Sequence, residues 1–310
     1  MRIALAPMEG VCDVNLRQII TAIGGFDYCV TEFIRVSQSL LPDKVFYRDC
    51  PELYQGAETA SAVPVHLQLL GSSPDLLAEN AVKAVALGAP VIDLNFGCPA
   101  RCVNKNSGGS YLLQFPDQLF SIMEAVRTAV PDPVPVTAKM RLGYEDKSLA
   151  IENARALEAG GASWLTVHGR TKLEAYRPPA HWHWIGKIND SVSIPVVANG
   201  EIWSVEDALA CRSESGCEYL MLGRGALARP DLARLIKDES LAPLLWSEMK
   251  EEYIRYYRLI EESGPSVRVA GRLKQWLIFL QQGYPEAAAL LKVVKRLKSA
   301  QEIYNVTLES

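Results

Sequence analysis

The chain has 310 residues, of which 49% are hydrophobic and 22% are charged, a balance typical of a folded globular protein and unlike that of a disordered one. Its formal net charge of −4 excludes a globally positive field, so a nucleic-acid partner would have to be held by a local basic patch. No apolar run reaches the ~18 residues of a membrane-spanning helix, and we expect no membrane contact.

Short β-branched runs alternate with amphipathic helical stretches up to about Pro230. This alternation predicts βα units and a parallel sheet. The predicted strands are residues 3–6, 28–31, 65–69, 91–94, 134–139, 164–167, 195–198 and 219–222. The clearest helical patterns between them are residues 74–87, 116–130, 149–159 and 204–213.

Parallel strands of this number most simply close into a (β/α)8 TIM barrel. A doubly wound open sheet is the competing fold, and it normally carries a glycine fingerprint after its first strand. This chain has APMEG (6–10) at that position, which favours the barrel.

Three further helical patterns follow the barrel, at residues 246–262, 267–282 and 286–299. We therefore predict a catalytic barrel over residues 1–240 and a C-terminal helical domain over residues 241–310. Between residues 265 and 300, basic side chains outnumber the single acidic one, Glu286. Charge alone leaves two interpretations open, a solvated helix face and a nucleic-acid surface.

Polar residues stand at the predicted C-terminal ends of nearly all the strands, where a TIM barrel builds its active site. The residues at these ends and just after them are, in chain order, Pro7, Met8, Glu9, Glu32, Phe33, Gln68, Asn95, Cys98, Lys139, Arg141, His168, Asn199, Gly200, Glu201, Gly223 and Arg224. A structural core gains nothing from such residues, so their coincidence at one barrel end predicts a functional mouth.

Glycine-containing turns follow the seventh and eighth strands, as ANGEI (198–202) and LGRGAL (222–227). Free backbone amides at such turns favour a phosphate, which predicts a phosphorylated cofactor or substrate. Lys139 and Gln68 suit the electron-rich edge of a ring cofactor such as FMN. A phosphorylated sugar bound through a Schiff-base lysine would suit Lys139 as well.

Cys98 lies in a loop stiffened by Pro99, without a carboxylate or histidine adjacent in sequence. A thiol near its reference pKa of about 8.5 is mostly protonated at neutral pH, which favours a general acid over a thiolate nucleophile. Cys102 is too far along the chain for a CxxC redox motif and is predicted to be incidental. His181 and His183 lack further ligands nearby, so we expect no metal site. The cysteine spacings and the absence of a leader pattern predict a reduced, cytoplasmic protein.

Several motifs, in this order and spacing, resemble the tRNA-dihydrouridine synthases. They are APMEG (6–10), TEF (31–33), QLLG (68–71), DLNFGCP (93–99), SGGSYLL (107–113), KMRLG (139–143), VHGRT (167–171), ANGEI (198–202) and GRGAL (223–227). Within that family, TEFIRV (31–36) and GRLKQWL (271–277) are similar to the subgroup that acts on the uridine at tRNA position 16.

The resemblance implies an FMN-dependent barrel with a tRNA-binding helical domain, and it does not imply a protein partner. The residues implied to hold tightly bound FMN are Pro7, Met8, Glu9, Gln68, Lys139, His168, Asn199, Gly200, Glu201, Gly223 and Arg224. Those implied to hold the uracil are Asn95, Arg141 and Tyr176, and those implied to hold the tRNA are Arg35, Arg272, Lys274 and Lys295.

The resemblance also implies a mechanism in which NADPH, or NADH, reduces FMN, hydride passes from flavin N5 to uracil C6, and Cys98 protonates C5. The uridine must leave its stack, at a cost of a few kcal/mol that RNA contacts offset. The alternatives are an FMN barrel reductase of a free pyrimidine, like dihydroorotate dehydrogenase, a non-redox aldolase or isomerase, and an RNA-binding protein without activity.

Overall fold

A computed structural model of the chain describes residues 1–309. Its strands are β1 (Arg2–Leu5), β2 (Tyr28–Val30), β3 (Ile34–Arg35), β4 (Val65–Leu70), β5 (Ile92–Phe96), β6 (Val136–Arg141), β7 (Leu165–His168), β8 (Val196–Asn199) and β9 (Tyr219–Leu222). All pairings between these strands are parallel. Because β2 and β3 pair in succession with β4, they form one barrel strand interrupted at residues 31–33. The pairings β1–β9 and β2–β4 close the sheet, which confirms the predicted (β/α)8 barrel.

Helices connect the strands of the barrel, and two further helices follow the last strand. They are α1 (Val14–Ile23), α2 (Asp43–Asp49), α3 (Pro74–Ala86), α4 (Arg101–Asn104), α5 (Pro116–Ala129), α6 (Ala150–Ala159), α7 (Trp182–Asn189), α8 (Val205–Ser215), α9 (Arg224–Ala228) and α10 (Leu232–Lys237). Local sequence sets several boundaries: Ser73 caps α3, whose first residue is proline, and Ser204 with Asp207 forms a capping box on α8. The four predicted helices of the barrel are confirmed.

Aromatic side chains fill the barrel interior at the N-terminal ends of its strands. The Tyr28 and His66 rings stack with their centroids 4.3 Å apart, and the Trp164 ring lies 5.8 Å from that of His66. Burial lowers the pKa of His66 to about 3, so its imidazole is neutral and packs as an apolar ring. The cavity-lining polar residues lie at the opposite end, where the strands finish.

Helices also make up the last part of the chain, as predicted. They are α11 (Trp246–Ile260), α12 (Ser266–Leu280), α13 (Pro285–Val294) and α14 (Ala300–Glu309). The prediction of one helix over residues 286–299 is wrong, because α13 ends at Val294 and a turn precedes α14. Within residues 1–309, no helix combines the length and the apolar character needed to cross a bilayer.

Helix α12 joins the C-terminal helices to the loop between β1 and α1. The Arg272 guanidinium donates to the carbonyl oxygens of Gly10 and Val11 at 2.8 and 2.9 Å and forms an ion pair with Asp13 at 2.7 Å. Gln275 Nε2 donates to the same Gly10 oxygen at 2.9 Å. These contacts give Arg272 a structural role at the joint, while its contact with RNA stays a prediction.

Replacing Arg272 with glutamine should lower the free energy of unfolding by about 1–3 kcal/mol, because two carbonyls and a carboxylate lose a charged donor. The matched control is Arg268→Gln on the same helix, because Arg268 is exposed and its side chain makes no hydrogen bond or ion pair with the described residues. Urea unfolding measures both. Equal midpoints for the two variants would contradict the role at the joint.

Candidate functional site

A cavity of about 610 Å³ opens at the C-terminal ends of the barrel strands. The structure brings together around it every residue predicted to hold the cofactor, which are Pro7, Met8, Glu9, Gln68, Lys139, His168, Asn199, Gly200, Glu201, Gly223 and Arg224. Asn95, Cys98, Arg141 and Tyr176 line the same cavity. Trp203 and Phe279 also line it and were missed from the sequence. Phe279 comes from α12, so the C-terminal helices contribute to the wall.

Lys139 extends from the end of β6 into this cavity. Its Nζ donates to Asn199 Oδ1 at 3.1 Å, and Asn199 is fixed in turn by donating to the Met221 carbonyl at 2.8 Å. Burial, together with the nearby Arg141 charge, lowers the pKa of Lys139 to about 8. An ammonium has three donors and one is used here, so two remain for an acceptor in the cavity.

His168, at the end of β7, is neutral. Burial, with added repulsion from surrounding cations such as Arg141 and Lys139, lowers its pKa well below the usual value. Arg170 Nη1 lies 3.3 Å from His168 Nε2, and a guanidinium only donates, so Nε2 accepts and the ring proton sits on Nδ1. His168 therefore keeps one N–H donor that no other described residue uses.

Two glycine turns form a backbone cradle at one side of the cavity. Gly200 has φ +116°, and a Cβ there would lie 2.8 Å from the His168 ring, so no larger residue fits. A Cβ on Gly225 would clash with the Ile202 carbonyl. Within residues 1–309, the backbone N–H groups of Gly200 and Gly223 have no hydrogen-bond partner. Free amides of this kind suit a phosphate.

The Arg224 guanidinium lies beside this cradle between two aromatic rings. Its Cζ is 4.9 Å from the Tyr176 centroid and 5.1 Å from that of Trp203. Glu201 is not its counter-ion, because Glu201 pairs with Arg170 and accepts from Trp203 Nε1 at 2.9 Å. Arg224 is thus a positioned cation available for an anion.

The loop after β5 holds Cys98 by its backbone. Asn95 Oδ1 accepts from the N–H groups of Gly97 and Cys98, both at 2.9 Å. The Cys98 carbonyl accepts from Ser110 Oγ and Asn104 Nδ2 at 2.8 and 2.9 Å. Only 8% of Cys98 is exposed, and burial raises the pKa of its thiol, so the thiol is neutral at physiological pH.

Arg141 connects this loop to the loop that carries Tyr176. Its Nε donates to Gly97 O at 2.8 Å, and its Nη1 donates to the Thr171 and Ala175 carbonyls at 3.1 and 2.9 Å. The guanidinium also lies 5.3 Å from the Tyr176 ring centroid. Arg141 also interacts with the Tyr176 hydroxyl, and none of its bonds to backbone carbonyls uses Nη2.

The other basic residues predicted from the sequence lie outside the cavity wall. Arg35 is exposed at the end of β3, and its Nη2 donates to the Cys102 carbonyl at 3.1 Å, so its side chain contacts the segment that follows Cys98. Lys274 donates to the Leu297 carbonyl at 2.9 Å and ties α12 to the turn after α13. Lys295 lies in that turn and is exposed.

A family model described as Dihydrouridine synthase (Dus) matches residues 4–309. The chain belongs to the dihydrouridine synthase family. This confirms the resemblance found in the sequence. Among its relatives, the tRNA-dihydrouridine(16) synthase of Pseudomonas syringae pv. tomato is 51% identical over 300 residues, which cover 96% of this chain and 95% of the relative. That of Shewanella oneidensis is 46% identical over 306 residues, 99% and 97% of the two chains.

Solved structures share the fold of this dihydrouridine synthase family member at low sequence identity. A 2-naphthoyl-CoA reductase matches with a TM-score of 0.59 and 15% identity over 77% of this chain and 50% of its own. Histamine dehydrogenase from Rhizobium sp. 4-9 matches with a TM-score of 0.57 and 16% identity over 77% and 46%. This chain therefore spans about half the length of those proteins, and the likeness supports the barrel alone.

The depressed pKa of Lys139 predicts a pH-dependent stability in cofactor-free protein. Below about pH 8 the ammonium is charged in both states and its burial penalty is complete. Between about pH 8 and the unfolded value of about 10.4, the folded state alone loses the proton, so stability rises with pH. Urea unfolding of wild type and Lys139→Met isolates this contribution, because the buried thiols whose pKa values are raised act equally in both proteins. The unfolding free energy of wild type minus that of Lys139→Met should rise across this range. Parallel curves would contradict it.

Proposed function

We propose that this protein reduces the C5–C6 double bond of a uridine in tRNA to give 5,6-dihydrouridine, with tightly bound FMN and with NADPH, or NADH, as reductant. The observation that carries the proposal is that a neutral cysteine thiol lines the same cavity as a full set of donors for a phosphorylated ring cofactor. The relatives named tRNA-dihydrouridine(16) synthase support the uridine at position 16 as the substrate.

The cavity suits FMN at both ends of the molecule. The unpartnered amides of Gly200 and Gly223, with the Arg224 guanidinium, would hold the phosphate. Lys139 and the Nδ1–H of His168 would donate to the acceptor-rich ring, with Gln68 beside them. When bound, FMN supplies the hydride for the reduction.

The remaining site residues would bind the uracil and supply the proton. Asn95, Arg141 and Tyr176 line the cavity with Cys98, and Arg141 would donate to a uracil carbonyl from Nη2, which its bonds to backbone carbonyls do not use. The Cys98 thiol holds its proton because burial disfavours the thiolate. It can therefore deliver that proton to C5 as negative charge develops on the ring.

The tRNA would be held by cations on both predicted domains, the barrel at residues 1–240 and the helices at residues 241–310. Arg35 lies next to the cavity and Lys295 lies on the exposed turn after α13, so both can reach phosphates. Arg272 and Lys274 stabilise the surface on which those cations stand. Such contacts position the RNA and offset the cost of extruding the uridine.

Replacing Cys98 with alanine should leave FMN binding and its reduction by NADPH intact while lowering the rate of dihydrouridine formation by about 10²–10⁴-fold, the usual contribution of a general acid. Single-turnover assays on tRNA lacking dihydrouridine measure both steps separately. The matched control is Cys102→Ala, because Cys102 is exposed and outside the cavity. Normal turnover by Cys98→Ala would remove the proton-donor role.

A further inference from the structure

A chain of buried hydrogen bonds runs from the barrel interior to the Cys98 loop. Thr137 Oγ1 and Gln68 Nε2 donate to the two carboxylate oxygens of Asp93, each at 2.6 Å. Asn95 Nδ2 donates to Gln68 Oε1 at 2.7 Å, and Asn95 Oδ1 accepts from the amides of Gly97 and Cys98. We call the set Asp93, Gln68 and Asn95 the amide relay.

Strand register creates this arrangement. Gln68 of β4 pairs with Asp93 of β5, and Asp93 pairs with Thr137 of β6, so three polar side chains stand abreast inside the barrel. Asn95 lies two residues beyond Asp93 on the same face of β5, one level closer to the cavity. Asp93 is 4% exposed and does not line the cavity.

The groups at both ends of the relay fix the direction of its hydrogen bonds. Two backbone N–H groups at residues 97 and 98 are donors only, so the oxygen of Asn95 must face them. Its NH₂ group then faces Gln68, which must present its own oxygen there and its NH₂ to residue 93. The relay is complete only if residue 93 offers an acceptor, and Asp93 does so.

Asp93 has no salt bridge, although the Lys139 charge acts on it from a distance and favours its ionised form. Among residues 1–309 no cation lies within salt-bridge distance of its carboxylate, and burial raises its pKa because the charged form is desolvated. An apolar residue would pack more favourably at such a position in a barrel core. The carboxylate is therefore explained by the acceptor that it supplies to Gln68.

We propose that Asp93 is a positioning residue that sets the orientation of Gln68 and Asn95 and thereby the placement of Cys98. The inference rests on the proposed function, since Gln68 is assigned to the cofactor and Asn95 and Cys98 to uracil. Asp93 itself touches neither the cofactor nor the substrate site. Its requirement is for an acceptor atom rather than for negative charge.

Two substitutions of similar size separate these requirements. Asp93→Asn can turn its oxygen to Gln68 and its NH₂ to Thr137, so kcat should stay within about threefold of wild type, since the acceptor is kept. Asp93→Leu removes the acceptor and should lower kcat about tenfold or more. Thr137→Val is the matched control: it removes the other hydrogen bond of Asp93 without touching the relay and should keep kcat near wild type.

A second readout is independent of turnover. Full-length protein with excess FMN is labelled with iodoacetamide and then digested with trypsin. Because trypsin cleaves after Lys83 and Arg101, Cys98 and Cys102 fall in different peptides, and mass spectrometry reports the labelling of each. Labelling of Cys98 relative to the exposed Cys102 should rise about tenfold in Asp93→Leu and stay unchanged in Asp93→Asn. The buried Cys12 and Cys29 should stay protected in every variant, which excludes general unfolding.

Equal Cys98 labelling and equal kcat in Asp93→Leu and Asp93→Asn would overturn the proposal. So would a lowered kcat together with raised Cys98 labelling in Asp93→Asn, because negative charge would then be the requirement. If Asp93→Leu does not fold, Asp93→Ala gives the same comparison with a smaller side chain. Failure of wild type to form dihydrouridine would refute the proposed function while leaving the labelling result intact, so the two failures are distinguishable.

Discussion

The parallel closure of the barrel is the constraint on which the site depends. It places the C-terminal ends of strands from both halves of the chain around one cavity, while the aromatic cluster of Tyr28, His66 and Trp164 fills the other end. Every polar side chain that extends inward near a strand end must then be satisfied by a neighbour or by a ligand. Lys139 and His168 therefore keep donors that a ligand in the cavity can use.

Charge and protonation divide the cavity into regions with different chemistry. Arg224 and the glycine turns supply a cationic, donor-rich edge that suits a phosphate, and Lys139 supplies a second cation deeper in the barrel. His168 and Cys98 are both neutral, one because cations and burial suppress its protonation and the other because burial disfavours its thiolate. The site can thus bind an anionic cofactor and still keep a proton on sulfur for transfer.

The sequence predicts the strands and the polar residues at their ends because strands buried on both faces read as apolar runs, and the residue that ends each run is conspicuous. Phe279 could not be found this way, since it reaches the cavity from α12 through tertiary packing. Trp203 follows the turn ANGEI directly, and that position was the available signal. Arg272 looks like a surface cation in a charge pattern, yet backbone carbonyls of the β1–α1 loop surround it.

Two further features could not be predicted from the sequence, because they depend on strand pairing and on helix packing. Asp93 sits inside the motif DLNFGCP, but its role depends on the register that sets it between Gln68 and Thr137, which no single segment encodes. The break between α13 and α14 contains neither glycine nor proline, and Ser299 is its main sequence signal.

The most direct test of the account is to map dihydrouridine at nucleotide resolution in tRNA from cells that lack this gene and from cells in which it is restored. The account predicts loss at position 16 alone, with full recovery on restoration. Unchanged dihydrouridine at position 16, or loss at a different position, would contradict it.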